Sequence, residues 1–297
     1  MAMQHASTPS PALDIAALQA WQGRSETLHD RITAAPLAAL AATLDRDDTL
    51  PADGTPLPAL WHWLFFLPMA PQHEIGSDGH PRRGGFLPPV PLPRRMWAGG
   101  RLQWHAPLAV GDAVRRVSRI ESVTHKSGRS GEMVFVLVRH EVHGPGGLAL
   151  SEEHDIVYRA AAQPGDPAPL PTPAPATAAF SREVFADPVL LFRYSALTFN
   201  GHRIHYDRSY ATQEEGYPGL VVHGPLIATL LVDLLRRHHP GRRLERFSFR
   251  AVRPTFDQHV MRICGETAAG GDGNAFRLWA QDHEGFLTMQ ADAELAP

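Results

Sequence analysis

Cysteine is almost absent from this chain, since Cys264 is the single cysteine among 297 residues. One thiol cannot form a disulfide within the chain, which favours a reducing compartment. Cys264 lies in the strand-like run Val-Met-Arg-Ile-Cys-Gly, where a core residue is expected more than a nucleophile. The sequence therefore predicts neither a disulfide framework nor cysteine chemistry.

Long apolar runs and a strong charge of one sign are also missing. The longest apolar stretches, at 64–69 and 226–235, are too short to span a bilayer. The formal net charge is -3, which gives no reason to expect general nucleic-acid binding. The first residues lack a basic start followed by an apolar block, so no secretory signal is expected. We expect a cytoplasmic protein that binds neither membranes nor nucleic acids.

The composition indicates two folded halves. Hydrophobic residues make up 43% of the chain, enough for a sizeable core. Residues 161–179 are rich in proline and alanine and lack large apolar side chains, which is typical of a stiff linker. We therefore predict a first half at 1–160, a linker at 161–179 and a second half at 180–297. Residues 1–11 are expected to be disordered, and 71–93 to form a long surface loop that could act as a lid.

Hydrophobic periodicity predicts the same order of elements in each half, namely buried helix and then antiparallel strands. A single helix wrapped by a curved antiparallel sheet is an α+β architecture that covers an apolar helix on most sides. In the first half, helices are predicted at 13–21, 36–44 and 58–66, and strands at 101–105, 113–124, 133–142 and 148–159. In the second half, a helix from Pro225 precedes strands at 246–252, 260–265, 276–281 and 287–295.

The stretch 191–235 carries the strongest functional signal. A polar segment at 198–207, Thr-Phe-Asn-Gly-His-Arg-Ile-His-Tyr-Asp, comes before an apolar helix. Gly224 is expected to cap this helix and Pro225 to take its first position. Apolar residues then recur at helical spacing: Leu226, Ile227, Leu230, Leu231, Leu234 and Leu235. The helix N-terminus should face the histidine-rich loop, where its unpaired N–H groups can hold an anion or a developing oxyanion.

These residues resemble the MaoC-like hydratase and dehydratase family of the hot-dog fold. The family carries an Asp-x-Asn-Pro-x-His-x-Asp loop and then a His-Gly pair that opens the central helix. His205-Tyr206-Asp207 matches the end of the loop motif, and His223-Gly224 matches the pair. The resemblance implies a double hot dog whose first half is degenerate and lacks the motif. The second half is similar to a subgroup that includes mesaconyl-CoA and itaconyl-CoA hydratases, 3-methylfumaryl-CoA hydratase and mitochondrial 3-hydroxyacyl-thioester dehydratases.

The resemblance implies that water adds across an α,β-unsaturated acyl-CoA, with His205 as general base and acid. The N–H of Gly224 is the expected oxyanion donor. Asn200 stands where the family has its catalytic aspartate. Because an amide cannot accept the proton, Asn200 would only orient the water, or else mark a crippled or repurposed site. Asp207 could orient His205 through the other ring nitrogen.

Further residues are candidates for binding the substrate. A free carboxylate would need a cation, which Arg203 or Arg193 could supply. His202 and His223 are candidate substrate contacts. The CoA phosphates could be held by two turns. Lys126 and Arg129 lie in a basic hairpin turn, and Arg253 lies in a second turn.

A metal site is the alternative reading of the histidines. His202, His205 and Asp207 have ligand-like spacing, and His223 could be a further ligand. The segment has no helical periodicity that would bring the two nearby histidines onto one face, and no cysteine is near. We expect no metal and no cofactor, because CoA is part of the substrate.

The leading expectation is a hydratase of a short branched dicarboxylic acyl-CoA, such as mesaconyl-CoA or itaconyl-CoA, that gives citramalyl-CoA. The alternatives are a 3-hydroxyacyl-thioester dehydratase of fatty-acid synthesis and, because of Asn200, a non-catalytic acyl-CoA-binding hot dog. A thioesterase would use an acidic residue on the central helix, but Asp233 comes late in that helix and is expected at a surface or subunit contact. Both a monomer and a homo-oligomer remain open, since two hot dogs can pair within one chain.

Overall fold

The computed structural model describes residues 13–128, 131–160, 170–270 and 273–297. These residues form four α-helices, namely α1 (Ile15–Gln19), α2 (Ala34–Thr43), α3 (Pro188–Leu197) and α4 (Gly224–His238). They also form ten strands: β1 (Ser25–Arg31), β2 (Arg94–Trp104), β3 (Ala113–Gly128), β4 (Gly131–Gly144), β5 (Gly147–Arg159), β6 (Phe180–Val184), β7 (Leu244–Ala251), β8 (Met261–Thr267), β9 (Ala275–Gln281) and β10 (Leu287–Leu295).

All ten strands belong to one antiparallel sheet with the order β1-β3-β4-β5-β2-β7-β10-β9-β8-β6. The order within the first half, first-third-fourth-fifth-second, is repeated by the strands of the second half, β6-β8-β9-β10-β7. The internal repeat expected from the sequence is therefore present in the topology. The halves join where β2 pairs with β7, in a register that runs from Gly99 opposite Arg250 to Gln103 opposite Arg246.

The helix α4 is the buried centre of the second half. Every residue from Leu226 to Leu235 is buried, and the helix packs against β6, β8, β9 and β10. The predicted apolar stripe is confirmed, but the cap is not the predicted one. His223 is the N-cap, and Gly224 is the first helical residue.

In the described part of the first half, residues 13–128 and 131–160, no helix is as long as α4. The predicted helix at 58–66 is a single 3-10 turn, Trp61–Leu64. Glu152, only 3% exposed, lies on the inward face instead and accepts hydrogen bonds from His62 Nε2 (2.9 Å), Trp63 Nε1 (2.8 Å) and His154 Nε2 (2.6 Å). Burial alone would raise the pKa of Glu152, but His154 and His62 hold the pKa well below its ordinary value, so a paired anion fills part of the space.

Several boundaries differ from the sequence expectation. The first predicted helix is shorter, at Ile15–Gln19, and the strands β1 and β6 and the helix α3 were not expected as separate elements. The strand predicted at 113–124 is confirmed as part of β3, which carries a bulge between Ile120 and Ser122. Residues 1–11 lie outside the described part of the chain, as do 161–169 of the predicted linker.

Two further predictions were a buried Cys264 and the lack of a membrane-spanning helix. Cys264 is 1% exposed, and burial raises the pKa of its thiol, as expected for a core residue. Among the described residues, the helices are all too short or too polar to cross a bilayer.

Asp233 is the charged residue buried most deeply on α4, with 1% of its surface exposed. The expectation of a surface or subunit contact was wrong. Three arginines surround its carboxylate: Arg46 at 2.5 Å, Arg237 at 2.7 Å and Arg182 at 3.3 Å. This cluster ties α4 to the end of α2 and to β6. Because all three arginines bind the Asp233 carboxylate, that carboxylate is not free for thioesterase chemistry.

Replacing Asp233 by asparagine should lower the free energy of unfolding by about 3 kcal/mol, because three arginines would lose their buried counter-ion. Denaturant unfolding of the variant would measure the loss. Asp292→Asn is the matched control, since Asp292 is exposed on β10 and forms no ion pair with another described residue. The control should change the free energy by at most about 0.5 kcal/mol. Equal losses would contradict a structural role for the cluster.

Candidate active site

The polar loop between α3 and α4 is held at both ends by backbone hydrogen bonds. Asn200 N donates to Ser195 O over 2.8 Å, and Val221 N donates to Ile204 O over 3.0 Å. Phe199, just before Asn200, has a φ of 51°, a left-handed conformation that is costly for a bulky residue. Such strain concentrates at functional sites, where the surrounding contacts hold it in place.

His205 has a fixed tautomer. Its Nδ1 lies 2.7 Å from the carbonyl oxygen of Val221, and a carbonyl only accepts, so Nδ1 carries the hydrogen. The opposite nitrogen, Nε2, is therefore unprotonated in the neutral ring. It receives no hydrogen bond from any described residue. His205 is 7% exposed and presents a proton acceptor in a largely buried position.

His223 stacks on His205 at the start of α4. The two rings are 3.7 Å apart, with planes inclined by 19°. His223 is fully buried, and its Nε2 lies 2.8 Å from Ser195 Oγ on α3. The stack places the His205 ring against the N-cap residue of α4.

The first turn of α4 has unpaired donors. His223 makes no side-chain cap, and Pro225 has no N–H. The N–H groups of Gly224 and Leu226 donate to no atom of the described residues, since the first helical bond runs from Ile227 N to His223 O. A Cβ built on Gly224 would approach nothing closer than Met289 Cε at 4.0 Å. The backbone at Gly224 therefore has room for a side chain that glycine leaves empty.

Asn200 is oriented by its own loop. Its Oδ1 accepts the backbone N–H of His202 over 3.1 Å, which identifies the other terminal atom as the amide nitrogen. That NH₂ group donates to no described residue. The asparagine can therefore offer the site a donor but not an acceptor.

A loop of the first half completes the site. Arg203 N donates to Asp78 O over 2.9 Å, and the ring of His80 lies 4.1 Å from that of His202. His80 Nδ1 is in turn 3.1 Å from Asp78 Oδ2. The view of 71–93 as a surface loop was wrong for this part, because Asp78 and His80 are half-buried against the polar loop. Their sequence signal, an acid and a histidine in a glycine-rich turn, cannot show which loop they meet.

Burial keeps the histidines of the site neutral. It lowers the pKa of His205 to about 4, opposed by the hydrogen bond to Val221. It lowers the pKa of His202 to about 2, with further lowering by His80 and His205, and that of His223 well below the usual value. Burial raises the pKa of the Asp78 carboxyl, but hydrogen bonds from His80 lower it by more. The net pKa lies below the ordinary value, so the carboxyl is ionised. At neutral pH the site offers neutral imidazoles beside one anion.

The other predicted loop residues face different partners. Asp207 does not touch His205, so its expected orienting role was wrong. Its carboxylate binds Arg203 at 2.7 Å and accepts from Ser209 Oγ, also at 2.7 Å. Arg203 also donates to Ser77 O over 3.0 Å and lies over the Tyr210 ring. Arg193 is exposed on α3.

The candidate CoA contacts lie on two different parts of the fold, one on a strand of the first half and one in a turn of the second. Lys126 is exposed near the end of β3, with its Nζ 5.0 Å from the Phe135 ring centroid. Arg253 is 3.1 Å from Asp282, in the turn after β7. Arg129 lies outside the described residues. Their CoA contacts remain a prediction.

Among the described residues, one group of three could hold a metal ion, namely Asp78, His80 and His202, whose ligand atoms lie within 4.8 Å of one another. It is not the set considered from the sequence, because Asp207 turns to Arg203 and His205 to Val221. Two imidazoles and a carboxylate would suit zinc or a similar ion.

The contact between the two loops leaves no room for a side chain at Gly79. A Cβ there would lie 1.8 Å from Gly201 O, and Gly79 has a φ of +88°. Gly79→Ala should therefore separate the loops and lower the free energy of unfolding by about 2 kcal/mol or more. It should also impair turnover, because His80 would move away from His202. Denaturant unfolding and steady-state kinetics would measure both effects.

Gly84→Ala is the control for backbone strain alone. Gly84 has a similar φ of +93°, but its Cβ would meet only Pro89 Cβ at 3.8 Å. We expect a loss of about 1 kcal/mol and wild-type turnover. If both variants behaved alike, loop contact would not be what constrains Gly79.

Comparison with solved structures identifies the fold. A MaoC-like dehydratase from Phytophthora capsici superposes with a TM-score of 0.69 at 13% identity, covering 96% of this chain and 98% of that one. A Mycobacterium tuberculosis protein described as a double hotdog superposes with a TM-score of 0.53 at 14% identity, over 93% and 96% of the two chains. The protein is a double hot dog, as predicted.

Comparison with known sequences identifies the family. Residues 60–257 match the model of the family Htd2, hydroxyacyl-thioester dehydratase type 2. The chain is also 50% identical over 279 residues to the mesaconyl-C(4)-CoA hydratase of Chloroflexus aurantiacus, covering 93% of this chain and 97% of that protein. The expected MaoC-like relationship is confirmed: the chain belongs to the type 2 hydroxyacyl-thioester dehydratase family of the MaoC-like hot-dog proteins.

Proposed function

We propose that the protein is a hydro-lyase that adds water reversibly to an α,β-unsaturated acyl-CoA, with mesaconyl-C(4)-CoA as the preferred substrate and citramalyl-CoA as the product. The observation that carries the proposal is the free Nε2 of His205, whose ring stacks on the N-cap residue of α4. The 50% identity to a mesaconyl-C(4)-CoA hydratase supports the choice of acyl group. Itaconyl-CoA, which is also a branched dicarboxylic thioester, is the second substrate to test.

The first step uses His205 as the base. A water molecule donates one hydrogen to Nε2 and accepts one from the NH₂ group of Asn200, so its lone pair points at the β-carbon. As the water oxygen bonds to that carbon, its proton passes to His205. The Val221 carbonyl then stabilises the imidazolium through Nδ1–H. Asn200 needs no basicity in this arrangement, so its replacement of aspartate is compatible with catalysis.

The helix N-terminus stabilises the negative charge that develops on the thioester oxygen. When water attacks, the π electrons move onto the carbonyl oxygen and form an enolate. The N–H groups of Gly224 and Leu226 are unpaired and lie at the positive end of the α4 dipole. Collapse of the enolate takes the proton from His205 onto the α-carbon and regenerates the neutral imidazole.

The same residues would catalyse the reverse reaction, so dehydration of a 3-hydroxyacyl thioester is the second candidate. The family description favours it. A binding protein without turnover is the third candidate, and its only support is Asn200. We propose that neither a metal nor a cofactor takes part, because His205 and α4 supply every proton transfer and charge contact that the reaction needs.

Turnover of mesaconyl-C(4)-CoA, followed by loss of the enoyl-thioester absorbance, tests the proposal. His205→Ala should lower kcat by ~10³-fold, since it removes the base. His105→Ala, which removes an exposed histidine outside the stack, should retain activity. Because the pKa of His205 is about 4, kcat/KM should be flat at neutral pH and fall as the pH falls toward about 4.

Two outcomes would contradict the proposal. If CoA esters bound to the wild type but were not hydrated, the binding protein would be the better account. If dialysis against a chelator abolished hydration and zinc restored it, the metal-free mechanism would be wrong and Asp78, His80 and His202 would be the candidate ligands.

Gly224→Ala tests whether the substrate approaches the Gly224 N–H closely, independently of any effect on the stability of α4. The new methyl meets nothing closer than Met289 Cε at 4.0 Å and makes no clash, so the free energy of unfolding should stay unchanged or rise by up to about 1 kcal/mol. The methyl would occupy the space that the thioester must enter, so kcat/KM should fall ~10-fold or more. Gly146→Ala, at another site where nothing lies within 4 Å of the new Cβ, is the control. Wild-type turnover in Gly224→Ala would exclude close approach at this amide.

A further inference from the structure

One cluster of metal-ligating side chains spans the two halves of the chain. Asp78 and His80 belong to the segment between α2 and β2, and His202 belongs to the polar loop between α3 and α4. Among the described residues, this is the one group of three whose ligand atoms lie within 4.8 Å of one another. The mechanism proposed above assigns a proton transfer or a charge contact to none of the three.

The carboxylate and the first imidazole already have the separation that a metal ion needs. Zinc bonds of ~2.0–2.2 Å place two ligand atoms of a tetrahedral ion roughly 3.3–3.5 Å apart. His80 Nδ1 lies 3.1 Å from Asp78 Oδ2, where it now donates a hydrogen bond. An ion would take the place of the shared hydrogen, with His80 in its other tautomer. Because no ligand atom of the cluster is more than 4.8 Å from another, closure around the ion requires a movement of at most about 1.5 Å.

Contacts within and between the loops hold the ligands in place before any ion binds. Asp78 Oδ1 accepts the backbone N–H of His80 over 3.0 Å. The close approach of Gly79 to the Gly201 carbonyl sets the separation of the two loops. The rings of His80 and His202 are 4.1 Å apart as a result. A ligand set that is already ordered pays little conformational entropy on binding.

The composition of the cluster selects the kind of ion. Two imidazoles and one carboxylate favour zinc and neighbouring first-row ions over Mg²⁺ and Ca²⁺, which prefer oxygen ligands. Three protein ligands leave a fourth position for water. The side chains of Asp78 and His80 are 38% and 21% exposed, so an ion can reach them from solvent.

The other histidine groups in the described part of the chain are closed or incomplete. His62 and His154 flank Glu152, but that carboxylate is 3% exposed and accepts hydrogen bonds from both rings. His259 and His283 are exposed and stacked 3.7 Å apart, but no third ligand joins them within the same distance.

We propose that Asp78, His80 and His202 bind one divalent ion of the zinc type, which links the first half of the chain to the polar loop of the second. Both halves supply ligands, so the ion binds the docked halves more tightly than separated ones and stabilises the folded protein by mass action. The ion takes no part in the proton transfers of the proposed hydration. The inference therefore does not depend on the hydratase function.

Calorimetric titration of the metal-free full chain with zinc chloride tests the proposal. The wild type should bind a single ion at this site, and its Tm should rise with the zinc concentration. His80→Gln should weaken zinc binding ~100-fold or more, because the loss of even an outer-shell partner costs roughly 10–100-fold. Asp78→Asn and His202→Gln should weaken it similarly, and all three variants should lose the zinc-dependent rise in Tm.

His259→Gln is the matched control, because it removes one ring of the exposed stacked pair outside the two loops. It should bind zinc with wild-type affinity and keep the rise in Tm. Circular dichroism and melting of each metal-free variant show whether it is folded. If His80→Gln does not fold, Asp78→Asn and His202→Gln make the same test.

Three outcomes would overturn the inference. The first is a wild type that binds no zinc in stoichiometric amount. The second is wild-type affinity in the folded ligand variants, or a loss of the site in His259→Gln instead. The third is zinc that binds at the cluster but lowers Tm. None of these measurements uses turnover, so a failure to hydrate thioesters would overturn the proposed function and leave the metal site standing.

Discussion

The burial of α4 is the constraint on which the rest of the structure depends. An unbroken run of buried residues, from Leu226 to Leu235, must be covered on nearly every side. The strands of the second half supply that cover, and the arginine cluster at Asp233 neutralises the charge that the helix takes inside. The rigid helix then holds its N-terminus at a fixed place against the polar loop. The unpaired N–H groups of the first turn and the histidine stack take their positions from this packing.

The sequence was most informative where a pattern was long and apolar. The stripe of α4 and the alternation of the central strands in both halves were predictable, because each such segment buries one face on its own. The strands β1 and β6 were not, since both are short and lie at the edges of the sheet. The run Ser-Glu-Thr-Leu-His-Asp-Arg of β1 has no apolar face to detect. Its place in the sheet depends on a partner, β3, that lies far along the chain.

In the candidate active site too, features set by neighbouring residues were predictable, whereas contacts between distant segments were not. The closeness of His205 to the start of α4 was predictable because a motif match and a helix start coincide. The role assigned to Asp207 was wrong, since proximity in the chain did not decide the contact: the Val221 carbonyl reaches the His205 ring, and Arg203 takes the carboxylate. Asp78 and His80 belong to the first half, and no pattern around them specifies that they face a loop more than a hundred residues away.

The contact between Gly79 and Gly201 has a consequence for how the protein folds. Each loop contributes a backbone segment that fits only against the other, and the two are widely separated in the chain. Loop-closure entropy makes such non-local contacts late to form. A folding intermediate with one finished half would contain α4 or the first sheet but no assembled site. Binding competence would therefore appear in the last step, when the two halves dock, and not with the bulk of the secondary structure.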